Sequence, residues 1–359
     1  MSEGVTAGFS SGLRPGSPSA AAGASRPGAM AAFLEAAGWG DVLPVQLAAD
    51  ASFRRYYRLR RGHDRAIIMD APPPQEHVGP YLLVAATLRR LGLSAPEVLA
   101  EDRMQGFLLL EDFGDDTYTR LLDRGADPRE LYALAIDTLA ALQRRVAADD
   151  LPGLPPYDEA RLLGEAALLT DWYVPAFTGA PLATAQREDY LALWQAALAQ
   201  VMEAFPATLV LRDFHVDNLM LLPDREGVRR CGLLDFQDAV CGPPGYDLVS
   251  LLEDARRDVS PALRQMMTER YLAAVSGFDR RGFTRAASVL ATQRNCKILG
   301  IFTRLWKRDG KPGYLAHVPR LWRLIETDLQ EPALGAIGRW LDRHVPQAAR
   351  ACPVPPEAG

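Results

Sequence analysis

Residues 211–220 read LRDFHVDNLM, which sets Arg212, Asp213, His215, Asp217 and Asn218 close together between short apolar runs. Asp213 and Asn218 form a D-x-x-x-x-N pair, and further on GLLDFQDA places Asp235 at the end of an apolar run. Phosphoryl transfer calls for such a set. One carboxylate orients an accepting hydroxyl and takes its proton, while an Asn and a second carboxylate hold a divalent cation against the phosphates. Oxygen ligands suit a hard cation of that kind. Taken alone, the Asp/Asn pair is equally the mark of an Asx-turn loop on the surface. The ordered set of segments is what favours chemistry.

Short strand-like runs at 208–212, 218–222 and 231–235 would carry Asp213, Asn218 and Asp235 to one edge of a cleft. Around them, helical patterns fill 128–148, 158–170, 184–205, 260–275, 284–308 and 315–328. Ahead of them, residues 41–112 read as about five strands with one helix after the third. The strands are VQLAAD (45–50), RYYRLR (55–60), AIIMDA (66–71), EVLAED and GFLLLEDFG, and the helix spans 81–92 and stops at Gly92. A further short helix is expected over 31–39. The fold class predicted is α+β, with a small β-rich lobe over residues 30–112 and a larger helical lobe over 113–345.

With 359 residues, 48% of them hydrophobic and 24% charged, the chain has ordinary globular composition and ample length for two lobes. A formal net charge of −5 argues against a nucleic-acid binder. No apolar run is long enough to span a membrane. Cys231, Cys241, Cys296 and Cys352 form no C-x-x-C pair and read as reduced thiols, as expected of a cytoplasmic protein. Residues 1–29 are rich in Ser, Gly, Ala and Pro, without the apolar core of a signal peptide, and are expected to be disordered. Residues 346–359 are expected to form a loose tail. No obligate protein partner is evident.

The segments LRDFHVDNLM, LLDFQDA and GPPGYDLVSLL resemble the aminoglycoside-phosphotransferase-like family of small-molecule kinases, which share the protein-kinase fold. The resemblance spans roughly residues 31–345. It implies ATP and Mg²⁺ as cofactors, Asp213 as catalytic base, Asn218 and Asp235 as metal ligands, and Asp247 as a structural tether of the catalytic loop. Leu211–Arg212 stands where the family usually has His-Gly. His215 either braces that loop or contacts substrate. In the small lobe the family's phosphate-covering hairpin corresponds to ADASFRRYYRL, with Ser52, Arg54 and Arg55 as candidate contacts. The lobe-linking segment corresponds to FLLLEDFGD, with the backbone near Glu111 and Phe113 facing the adenine edge. One departure is large. Kinases of this fold carry a Lys on the third strand, yet Met69 or Asp70 falls there and the chain holds no Lys before Lys297. Either an arginine among Arg54, Arg55 and Arg58 substitutes, or metal and backbone suffice.

A second signature lies in QRNCKILGIFTRLWKRDGKPGYLAHVPRLW, residues 293–322. Arg294, Lys297, Arg304 and Arg308 fall on one helical face, expected to lie opposite Ile298, Leu299, Ile301, Phe302 and Leu305. From 294 to 311 there are six basic residues against one acidic. This is either a solvated cationic face or a cleft wall for an anionic ligand. Together with the hairpin and catalytic segments, the stretch resembles the bacterial anomeric kinases of N-acetylmuramate and N-acetylglucosamine, which act in cell-wall sugar recycling. That resemblance implies a small sugar as partner, with Arg294, Lys297 and Arg304 toward it and Trp172 and Tyr173 available to stack on a sugar face or to pack between helices. The rival expectations are another kinase of this fold, of aminoglycoside, choline or homoserine type, and a nucleotide-binding scaffold without catalysis.

Overall fold

The computed structural model describes residues 25–47 and 53–351. The small lobe begins with helix α1 (Arg26–Ala36), followed by β1 (Val45–Gln46), β2 (Arg55–Arg61), β3 (Asp64–Asp70), α2 (Gly79–Arg90), β4 (Val98–Asp102) and β5 (Phe107–Glu111). The strands form one antiparallel sheet in the order β1-β2-β3-β5-β4. Its central strands, β3 and β5, are apolar on both faces because both faces are covered. Leu59, Ala66, Ile68, Phe107 and Leu109 pack under α1 with Met30, Leu34 and Trp39. Met69, Leu108 and Leu110 face α2 and join a core that runs on into the large lobe.

The large lobe contains α3 (Tyr118–Asp123), α4 (Pro128–Arg145), α5 (Glu159–Leu168), α6 (Val174–Thr178), α7 (Thr184–Ala204), β6 (Thr208–Val210), β7 (Leu219–Leu221), β8 (Cys231–Leu233) and β9 (Val240–Gly242). It continues with α8 (Tyr246–Leu252), α9 (Pro261–Ala274), α10 (Arg280–Asp309), α11 (Val318–Asp328), α12 (Gly335–His344) and α13 (Gln347–Arg350). Side-chain caps start α4, α5, α9 and α10 at Asp127, Asp158, Ser260 and Asp279. The β6–β9 and β7–β8 pairs are small antiparallel ribbons that frame the segment from 211 to 218. Helix α10 is the axis of the lobe. Its Gly300 lets the backbone approach α5 closely, since a Cβ there would lie 2.4 Å from the Leu168 carbonyl oxygen.

The termini depart from expectation. Helix α1 starts at Arg26, inside the segment read as disordered, because Arg26 has tertiary partners. Its guanidinium pairs with buried Asp70 and lies 3.9 Å from the centroid of the Phe107 ring. At the other end, the first residues of the predicted loose tail form α13. Arg350 is buried there and bonds Glu326 at 3.1 Å and Asp342 at 2.7 Å. Short α8 has no amphipathic period to betray it, since every residue in it is buried. Cys231, Cys241 and Cys296 are free thiols. Among the described residues no helix is long and apolar enough to cross a membrane.

Removing one partner of a buried ion pair strands the other and typically costs about 3 kcal/mol or more. Arg26→Ala is therefore expected to destabilise the protein by roughly that amount in denaturant unfolding, and adding Asp70→Asn should recover part of it. A single variant as stable as the parent would detach α1 from the small lobe's stability.

Candidate active site

The loop that carries Asp213 is tied down from below. Asp247, at the start of α8, accepts the backbone N–H of Leu211 at 2.7 Å and that of Arg212 at 2.8 Å. Burial pushes the Asp247 carboxyl up to about 7, a rise that the two backbone donors and nearby Arg294 oppose. Ser250 donates to the Arg212 carbonyl at 3.1 Å. Arg212 adopts φ +70°, a left-handed conformation that explains why the family usually places Gly at this position. Its side chain reaches Glu165 of α5 at 2.6 Å.

Asn218 donates its side-chain N–H to the Asp213 carbonyl at 2.9 Å, which leaves Oδ1 as the atom it can offer a cation. Asp235 is, with Arg212, one of two non-glycine residues at positive φ among the described residues, at +54°, and Gln237 donates to its Oδ1 at 2.7 Å. The Leu234 N–H bonds the Asn218 carbonyl at 3.0 Å, holding the two segments in register. Asn218 Oδ1 and the Asp235 carboxylate are all-oxygen donors of the kind a divalent cation takes alongside phosphate oxygens, so the residues fit such a group. His215 is buried, and its Nε2 lies 3.4 Å from the Asn218 amide nitrogen. Burial lowers its pKa and keeps the ring neutral. It braces the loop through a side chain rather than through backbone carbonyls, and it also lines a cavity.

Two cavities meet at these residues. One, of about 500 Å³, lies between the lobes and is lined by Tyr56, Ile67, Tyr81, Leu110 and Met220, with Arg54, Arg58 and the linker Asp112–Phe113–Gly114 at its rim. The other, of about 350 Å³, lies in the large lobe between the catalytic loop and α10. Its walls include Asp213, His215, Arg256, Arg294, Lys297 and Ile301. Asp217, Asn218 and Asp235 line both.

The structure sorts the other expected residues. Arg54 lines the first cavity, between Glu76 at 3.8 Å and Asp238 at 3.9 Å. Arg55 does not, because its pairing with Asp70 puts it on the α1 face of the sheet, exposed. Ser52 lies outside the described residues. Arg58 enters the cavity but is committed to the linker, with Asp115 at 2.8 Å, Asp112 at 2.9 Å and the Gly114 carbonyl at 2.8 Å. Met69 and Asp70 point to opposite faces. Met69, packed against α2, takes the cleft-side position where the fold's Lys would stand. Glu111 is spent: its N–H bonds Glu97 at 2.8 Å and its carboxylate pairs with Arg225. Two residues on, the Phe113 backbone makes no hydrogen bond among the described residues.

On α10 the cavity face is Arg294, Lys297, Ile298 and Ile301, so apolar residues expected opposite the cations share their stripe. Arg304 follows Lys297 two turns later, roughly 10 Å along the axis, beyond the cavity. Arg308 is exposed and pairs with Asp309 at 2.7 Å. Arg294 is buried, its Nη1 has no hydrogen-bond partner, and among the described residues no carboxylate lies within ion-pair distance, although Asp247 and Glu253 feel its charge. Trp172 is half-buried and does not line the cavity. Tyr173 is wholly buried: its hydroxyl donates to the Ala349 carbonyl at 2.5 Å and accepts from the Trp322 indole at 2.7 Å. It packs the lobe together rather than facing a ligand. Two residues at the site went unassigned by spacing. Asp217 pairs with Arg256 at 3.9 Å and accepts from Thr119, and Glu165 binds both Arg212 and Lys297.

Known proteins agree with this geometry. Residues 45–287 match the model of the phosphotransferase enzyme family. A protein of Caulobacter vibrioides named N-acetylmuramate/N-acetylglucosamine kinase is 38% identical over 90% of this chain and 98% of its own. One of the same name from Pseudomonas aeruginosa is 39% identical over 88% of this chain and 93% of its own. Among solved structures, the GDP complex of aminoglycoside 2'-phosphotransferase-IIIa superposes with a TM-score of 0.56 at 18% identity, covering 84% of this chain and 97% of that one. A choline kinase from Streptococcus pneumoniae gives 0.57 at 12% identity, covering 80% and 94%. These neighbours show the two-lobed kinase-like fold. With the family model matched over more than half its length, the chain belongs to the phosphotransferase enzyme family and is a kinase.

Proposed function

We propose that the protein transfers the γ-phosphoryl group of ATP to the anomeric C1 hydroxyl of N-acetylmuramate and N-acetylglucosamine. The observation that carries this reading is the meeting of a nucleotide-sized cavity and a second, cation-walled cavity at Asp217, Asn218 and Asp235. The shared name of the curated relatives supports the choice of sugar. An aminoglycoside, being polycationic, would want acidic walls, whereas Arg256, Arg294 and Lys297 face the acceptor. Such a kinase would work in the cytoplasm, where ATP and sugars recovered from the cell wall meet.

In this mechanism Asp213 takes the proton of the C1 hydroxyl as its oxygen bonds the γ-phosphorus and the bond to ADP breaks. Asn218 and Asp235 would hold Mg²⁺, which supplies charge neutralisation at the phosphates. Ile67, Tyr81, Leu110 and Met220 enclose the adenine side while Phe113 presents backbone groups. Arg54 stands in for the strand Lys from a different position, steadied by Glu76 and Asp238. Arg294, which lines the cavity, would turn its guanidinium to the lactyl carboxylate of N-acetylmuramate.

A sugar 1-phosphate is the expected product, and a methyl glycoside blocked at C1 should be inert. Asp213→Asn should fold normally, bind ATP and lose roughly 10²–10⁴-fold in kcat. Phosphorylation of the methyl glycoside would move the chemistry to another hydroxyl, and a nearly active variant would remove Asp213 as base. Arg54→Ala is expected to weaken calorimetric binding of ADP and ATP by about tenfold or more, the scale of one charge-assisted hydrogen bond, while adenosine binds as before. Equal loss for adenosine would assign Arg54 to the shape of the pocket instead. For Arg294→Met the KM for N-acetylmuramate should rise about 10–100-fold, with N-acetylglucosamine, which lacks the carboxylate, much less affected. Equal effects on both sugars would place that guanidinium elsewhere in the mechanism.

A further inference from the structure

The lysine of the acceptor cavity is not an isolated charge. Lys297 Nζ stands 3.1 Å from Glu165 Oε2 and 3.3 Å from the Tyr246 hydroxyl. The other oxygen of the same carboxylate, Oε1, accepts from Arg212 Nη2 at 2.6 Å. Tyr157 donates its hydroxyl to Oε2. Tyrosine rings wall the group in: Arg212 lies 5.4 Å from the Tyr157 centroid, and the Tyr157 and Tyr246 rings meet edge-on at 5.0 Å. The side chains of Glu165, Lys297 and Arg212 are only 13%, 12% and 15% exposed. Burial alone would push the Glu165 carboxyl up, but Lys297 and Arg212 outweigh it and hold the group below its usual range, ionised.

We propose that Glu165 is a positioning residue that couples the acceptor-cavity wall to the catalytic loop, clamping Lys297 with one carboxylate oxygen and Arg212 with the other. Arg212 is the residue immediately before Asp213 and holds a left-handed conformation that a non-glycine residue adopts only under restraint. Its backbone is held by Asp247 and its side chain by Glu165, so both ends of the residue are fixed. Loss of the Glu165 clamp leaves two cations facing each other without their anion and frees the side-chain end of that restraint. The Asp213 carboxylate then loses its aim. The proposal rests on Asp213 as the base. The coupling below is measured between Glu165 and Arg212 whichever group takes the proton, so an error in the base assignment shows in Asp213→Asn alone.

The test is a double-mutant cycle in steady-state kinetics with ATP and N-acetylglucosamine, using Glu165→Gln, Arg212→Gln and the pair. Each single variant should lose about 10²-fold in kcat, the scale of a misplacement near 1 Å, with the KM for ATP unchanged. The pair should lose no more than the worse single. Losses that multiply, or variants with a lowered melting temperature and unchanged kcat per folded molecule, would overturn the proposal. Lys297→Met reads the same coupling from the cavity end without touching the loop. There kcat should fall along with any rise in sugar KM. A rise in KM with kcat unchanged would make Lys297 a sugar contact only and refute the coupling.

Discussion

The active segment depends on a backbone conformation that the chain does not favour. Arg212 and Asp235 both sit at positive φ, on either side of Asn218 in sequence. Such residues cost on the order of 1–3 kcal/mol each and persist where the surroundings over-determine them. The surroundings here are specific. Asp247 grips two successive backbone N–H groups, Ser250 takes the Arg212 carbonyl, Asn218 takes the Asp213 carbonyl, and Gln237 holds Asp235. The buried ribbons β6–β9 and β7–β8 then set the distance between the segments. Most of the large lobe can be read as the support that keeps this loop from relaxing.

The small lobe is built without the lysine usual on its third strand. Met69 occupies the cleft-side position on β3 and is sealed into the core against α2, where a charge would have had to be desolvated. The cations have moved to β2 and the turn before it. There they divide the work. Arg58 is fully engaged with Asp112 and Asp115 and stiffens the linker between lobes. Arg54, 3.8 Å from Glu76 and 3.9 Å from Asp238, reaches across from the small lobe to the segment after Asp235.

Much of this was legible from periodicity. The strands of the small lobe and the long helices follow from local pattern, since each is written in residues close in sequence, whereas the Asp213–Asn218–Asp235 set was singled out by the resemblance of three ordered segments. What was illegible depended on partners far away. Arg26 begins a helix because Asp70 waits in β3. Tyr173 looked fit for a sugar but is claimed by Ala349 and Trp322. Arg54 and Arg55 differ only in the phase of a strand whose register is set by β3. Glu165 is unremarkable within a helical run, and only the fold brings Arg212 and Lys297 to it.

The cations of the cleft are therefore not equivalent, although composition makes them look alike. Arg58, Arg212 and Lys297 are each bound to a buried or half-buried carboxylate, and Arg256 faces Asp217. Arg294 differs from these in that, among the described residues, no carboxylate lies within ion-pair distance of it, while its buried Nη1 has no hydrogen-bond partner. A buried guanidinium without an ion-pair partner is expensive. Its cost is eased by the field of Asp247, whose ionisation it favours in turn, and its presence opposes protonation of His215. The same residue thus favours ionisation of the loop's tether and opposes protonation of the loop's histidine, and it lines the large-lobe cavity. That combination is what a site needs if its substrate carries the missing anion.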